Sequence, residues 1–183
     1  MTTALSSCVL AVSVALALLP GEARAGETWL AVAAGWGTGI EANADLDKLE
    51  LRLGLERRFS PALSAGLELA GVRFSGSRDG VGVRTLGLTA LPVARWHFLR
   101  FGGSSVAFEF GFGGARFASA FPPGGTRWNG YSAFGLSLTA AAGSGLAFTG
   151  GVRFLHHSNG RGLVTENPAY DGVSLHAGVA FGR

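Results

Sequence analysis

Cysteine is almost absent from this chain of 183 residues: Cys8 stands alone, near the start. A single thiol excludes a disulfide framework and a thiolate metal site. Lysine is also scarce, and the modest net charge of +3 comes from arginine. No basic cluster is present, which argues against nucleic acid as a partner. No His/Asp/Glu group has metal-ligand spacing, so neither metal nor cofactor is expected. Glu41, Asp45 and Asp47 read as a solvated loop. Beyond residue 25 no apolar run reaches the roughly 20 residues that a membrane-spanning helix needs.

Composition nevertheless points to lipid. Glycine (30) and phenylalanine (13) are abundant, hydrophobic residues make up 48%, and mean hydropathy is positive. With spanning helices excluded, the remaining fold that satisfies its own backbone in hydrocarbon is a closed barrel. The amino terminus adds an export signal. Val9 to Leu19 is an apolar run, and Pro20, Gly21 and Ala23-Arg24-Ala25 follow it. A short apolar region before an A-x-A pattern is the mark of a secretory signal peptide. Residues 1–25 are therefore expected to be removed, leaving 26–183 as one domain. No lipobox surrounds Cys8, so a lipoprotein anchor is not expected.

Period-two alternation supports the barrel. Leu49, Leu51, Leu53 and Leu55 alternate with Glu50, Arg52, Gly54 and Glu56, and Phe108, Phe110 and Phe112 with Glu109, Gly111 and Gly113. Eight strands are predicted, over 28–37, 48–57, 62–74, 83–98, 105–117, 131–141, 146–158 and 170–181. Each is near the ~10 residues of a tilted membrane strand. The fold class is thus all-β, an eight-stranded antiparallel transmembrane barrel. Short connections (Arg58–Pro61, Leu99–Ser104, Ala142–Gly145) alternate with longer ones (Thr38–Asp47, Ser75–Gly82, Ala118–Gly130, Asn159–Ala169). Short periplasmic turns and longer external loops follow that rule in bacterial outer membranes. Pro92 is expected to cause a bulge in the fourth strand. Trp29, Trp36, Trp96 and Trp128 are candidates for the interfacial aromatic belts. The polar parity carries Glu50, Arg52, Glu56, Glu68, Arg95, His97, Glu109, Arg153 and His176. Acids and arginines nearly balance there, and a barrel of eight strands is filled by its own side chains. An internal ion-pair network is expected, not a pore.

The seventh strand departs from its pattern in one place. Its apolar parity (Leu146, Phe148, Gly150, Val152, Phe154) runs on into His156 and Ser158. Residues two apart on a strand share a face, with Cα atoms about 6–7 Å apart. On the eighth strand Phe181, Val179, Ala177, Leu175 and Val173 lead back to Asp171. A base, a nucleophile and an orienting acid thus converge on the lipid-facing side of one hairpin, the requirement of a serine triad on any fold. Asn159, Gly162 and Asn167 lie between them as candidate oxyanion donors or turn residues. His157 has the inward parity.

The stretch Phe154-Leu155-His156-His157-Ser158-Asn159, with Gly162-Leu163, Asn167-Pro168 and Asp171, resembles the carboxy-terminal signature of the lipid A 3-O-deacylase (PagL) family. The resemblance implies an eight-stranded outer-membrane barrel with an exterior Ser-His-acid triad. Carried over by position, Ser158 is the nucleophile, His156 the base and Asp171 the acid. Asn167 and Gly162 are the oxyanion donors, with Asn159 the residue that follows the serine. Asp171 stands where the family pattern has Glu, and Glu166 is a rival acid. One extra residue near Gly160-Arg161-Gly162 leaves the backbone donor between Arg161 and Gly162. The implied reaction is hydrolysis of an ester-linked acyl chain of lipopolysaccharide in the outer leaflet. Arg73, Arg84, Arg116, Arg127 and Arg161 are candidates for lipid A phosphates or for generic headgroup contact. A homodimer is compatible with the pattern. The competing expectations are a non-enzymatic structural or adhesive barrel and a phospholipase-type acyl hydrolase.

Overall fold

Alternation of apolar and polar residues pairs the strands in register around a ring. The computed structural model describes residues 26–159 and 168–182. Eight strands follow one another: β1 (Thr28–Gly39), β2 (Leu46–Arg58), β3 (Leu63–Arg78), β4 (Val81–Phe101), β5 (Ser104–Phe121), β6 (Thr126–Gly143), β7 (Leu146–Ser158) and β8 (Ala169–Gly182). Each pairs antiparallel with the next, and β8 returns to β1 through a ladder from Trp29↔Gly182 to Gly39↔Gly172. Closure leaves no unpaired edge. A short 3-10 helix, Glu41–Asn43, joins β1 to β2.

The outer wall is the apolar parity. Leu51, Leu55, Leu69, Leu88, Phe110 and Phe112 are all at least half exposed, with Leu88 at 71%. Such a surface is stable only against hydrocarbon. The inner parity is charged and paired. Arg153 donates to Glu68 at 2.6 and 2.9 Å and to both carboxylate oxygens of Glu109. Arg95 donates to Glu68 at 2.6 Å, to Glu109 at 3.0 Å and to Glu56. Lys48 and Arg52 hold Glu50 between them. His97 meets Ser64, Ser105 and Arg58. A cavity of about 70 Å³ touches Arg52, Glu68, Arg95 and His176, so side chains occupy most of the lumen there. Nearer the rim that carries Ser158, the filling changes to aromatic. Phe74, Phe117, Phe121, Tyr131 and Tyr170 surround His157, whose ring stacks on Tyr131 at 4.3 Å and 4°. Anchored inward in this way, His157 commits its neighbours on β7 to the outside.

Several expectations are corrected. The strands of the β3–β6 wall run further than predicted: β4 spans 21 residues, and β3 continues from Phe74 to Arg78. The supposed loop over Ser75–Gly82 is a two-residue turn at Asp79-Gly80, both with positive φ (52° and 77°). That is the primed turn matching the twist of paired strands, for which Asp-Gly is the preferred sequence. Ala118–Gly130 shrinks likewise to the residues between Phe121 and Thr126. Hydrophobic alternation stops at the membrane surface, but a ladder of backbone bonds does not need it. Pro92 causes no register shift. Its pairing with Leu67 on β3 is intact, and the β5 ladder lapses only at Leu91 and Pro92 before resuming at Val93↔Gly111. Lacking an N–H, Pro92 is accommodated where the β5 ladder skips two residues without a change of register. The irregularity of β4 falls instead between His97 and Leu99. Trp36, Trp96 and Trp128 face outward, but Trp29 lines the lumen mouth beside Gly182 and donates to Glu27 at 3.3 Å.

Candidate functional site on the lipid-facing hairpin

Strand pairing brings the polar residues of β7 and β8 together. His156 lies directly across from Asp171, and Ser158 across from Ala169. The two side chains meet: His156 Nδ1 is 2.7 Å from Asp171 Oδ1. The carboxylate can only accept, so Nδ1 carries the proton and Nε2 is left as the basic nitrogen. Both side chains are partly exposed, at 40% and 35%, on the outer wall. Ser158 follows two residues on, on the same face and half-buried. Among the described residues no hydrogen bond joins it to His156. The orienting contact is therefore made, while the hydroxyl-to-imidazole contact is not.

The other flank is β6. Gly130 stands opposite Ser158 and Ser132 opposite His156. With no side chain at Gly130, the wall beside Ser158 is open. Trp128, 62% exposed, borders the opening above. Phe134 and Phe154, with ring centroids 4.9 Å apart, close it one rung below His156. Gly130 and Ser132 were not singled out in the sequence. Their outward parity was readable, but their rung was not, because hairpin register follows turn geometry and the β6–β7 ladder shifts between Ala141 and Gly143, beside the turn.

The remaining sequence candidates divide. Asn159 is buried, on the parity opposite Ser158, and its amide atoms have no hydrogen-bond partner among the described residues. Gly162, Asn167, the rival acid Glu166 and Arg161 lie outside the described residues. Arg73, Arg84, Arg116 and Arg127 are all exposed.

A closed antiparallel barrel of eight strands, apolar outside and ion-paired within, defines an outer-membrane protein. Its similarities agree. The chain resembles the crystal structure of the outer membrane enzyme PagL, at 22% identity over 81% of this chain and 97% of that one, with a TM-score of 0.62. It also resembles Neisserial surface protein A, at 12% identity, 85% and 95% coverage and a TM-score of 0.58. OprG from Pseudomonas aeruginosa follows at 12% identity, 87% and 97% coverage and a TM-score of 0.54. At these identities the likeness is one of fold. Among curated proteins none matches the sequence. The family is settled separately: residues 26–180 match the profile of Lipid A 3-O-deacylase (PagL), and the chain belongs to that family.

Proposed function

We propose that the protein is a lipid A deacylase that hydrolyses a 3-O-linked acyl ester of lipopolysaccharide in the outer leaflet. The observation that carries this reading is the His156–Asp171 hydrogen bond on the lipid-facing wall, two residues from Ser158, in a chain of the lipid A 3-O-deacylase family. A barrel with a structural or adhesive role has no use for that pair. Lipid would favour an apolar residue at each of these outward positions.

In the proposed reaction Ser158 Oγ attacks the ester carbonyl while His156 Nε2 takes its proton. Asp171 holds the ring and stabilises its charged form. The tetrahedral oxyanion needs donors aimed at it; Asn167 and a loop N–H at Gly162 or Arg161 are the proposed ones, with Asn159 supporting the turn. His156 then returns the proton to the departing sugar oxygen, leaving an acyl ester on Ser158. Water, deprotonated by His156, attacks that ester and releases the fatty acid. The same proposal includes export through a signal peptide over residues 1–25, which lie outside the described residues.

Mass spectrometry of lipid A from cells expressing the protein tests the reading. Wild type should remove one 3-hydroxyacyl group, and Ser158→Ala should abolish the change while the barrel still assembles. Lipid A of unchanged mass with the wild-type chain, across several lipopolysaccharide types, would sink it. Release of acyl chains from phospholipids instead would point to the phospholipase alternative.

A further inference from the structure

A second feature of the outer wall is centred on β3. Outward residues of β2, β3 and β4 form a groove of about 750 Å³. Its floor is Gly71 on β3, between Leu51 on β2 and Leu88 on β4. Leu49 and Leu86 extend the two walls. A Cβ built on Gly71 would meet no atom within 4 Å, so the trough is open along its length at that point. Arg73, the next outward residue of β3, stands at its upper end, and Arg116 lies beyond Leu88 on β5. Below Arg73 the outward residues of β3 are Gly71, Leu69, Leu67, Ala65 and Leu63, so Arg73 marks the boundary between hydrocarbon and headgroups.

We propose that this trough docks a phosphorylated acyl lipid of the outer leaflet, one chain lying over Gly71 and the phosphate held between Arg73 and Arg116. The floor of the trough on β3 is four places around the ring from β7 in either direction, while its far edge reaches Arg116 on β5, whose partner Trp128 borders the Ser158 opening. Odd-numbered strands run the same way, which puts the two arginines towards the same rim as Ser158. Among the described residues neither arginine is within ion-pair distance of a carboxylate. Asp47, one rung above Leu49, makes no ion pair with Arg73. Arg116 stacks over the Trp128 ring at 5.4 Å. Stacking uses the face of the guanidinium and leaves its edge donors for an anion. Guanidinium edges match phosphate oxygens in pairs, and they do so best at a partly desolvated surface. A headgroup without phosphate offers these donors only neutral acceptors, which bind a guanidinium more weakly than a phosphate does.

The test is native mass spectrometry of the full chain carrying Ser158→Ala, folded in detergent. It is titrated with lipid A bearing its phosphates and with the same lipid stripped of them. Retention is read as bound mass of intact lipid, so the result does not depend on whether Ser158 is the nucleophile. The expected result is a retained lipid whose abundance falls about tenfold in the Arg73→Gln/Arg116→Gln pair. It should fall equally in Gly71→Leu, which fills the trough without changing charge, and His156→Ala should leave it in place. Dephosphorylated lipid should not populate it. Heat-modifiable gel mobility checks folding, and Gly71→Leu, which projects into open lipid-facing space, decides the matter alone if the arginine pair does not fold. Retention unchanged in folded Gly71→Leu, or equal retention of the dephosphorylated lipid, would overturn the proposal.

Discussion

Residue by residue, the outer hairpin depends most on Asp171. It is the orienting group of the proposed site, and its bond to His156 Nδ1 is already formed at 2.7 Å. Replacing it with Asn keeps the volume but offers an amide, which stabilises neither the required tautomer nor the imidazolium. In serine hydrolases a change of this kind costs up to about 10⁴ in kcat. Asp171→Asn is therefore expected to reduce the rate of lipid A deacylation by about 10²–10⁴ with KM little changed. Asp171→Glu should retain most of the rate, and Glu166→Gln should be nearly neutral. Initial rates in detergent micelles check all three. A large loss with Glu166→Gln alone would move the acid role into the loop.

At the level of the strand, β7 does two jobs with alternating residues. Its even positions carry Phe154, His156 and Ser158 outward; its odd positions carry Arg153, Leu155 and His157 into the lumen. Arg153 is 1% exposed and is shared by Glu68 and Glu109. Removing it takes away four hydrogen bonds and leaves Glu68 and Glu109 sharing Arg95, with Arg52 3.5 Å from Glu68. Arg153→Met should lower stability by about 3–5 kcal/mol, the cost of breaking one side of a buried ion pair. Urea titration of barrels folded into vesicles, read by gel mobility, measures it. An unchanged midpoint would mean that Arg52 and Arg95 neutralise both acids unaided. This division also explains what the sequence disclosed. Period two is a local property, so the outward facing of His156, Ser158 and Asp171 was legible before any fold was known. Adjacency of β7 and β8 was legible too, since hairpin neighbours pair. The rung that sets His156 opposite Asp171 depends on the geometry of the β7–β8 connection, and the pairing of Gly130 and Ser132 with the site on the irregular β6–β7 turn. Asp79-Gly80 was readable in principle. In the sequence that turn is masked, because the loss of apolar alternation after Phe74 resembles the end of a strand.

For the whole molecule, the decisive point is the side of the wall on which the proposed site stands. The lumen is filled by salt bridges and aromatic rings, while the His156–Asp171 pair opens towards the acyl region of the bilayer. A substrate reaching such a site must diffuse to it laterally, within the leaflet that surrounds the barrel. It need not leave the membrane, and it cannot arrive through the barrel. Lipid A reconstituted in the same vesicles as the protein should therefore be deacylated, whereas lipid A held in separate vesicles should not be, over the same incubation. Detergent, which mixes the two populations, should restore turnover of the second. Equal rates with shared and separate vesicles would mean that the substrate reaches the protein from water. In that case the outward placement of His156 and Ser158 would not determine access.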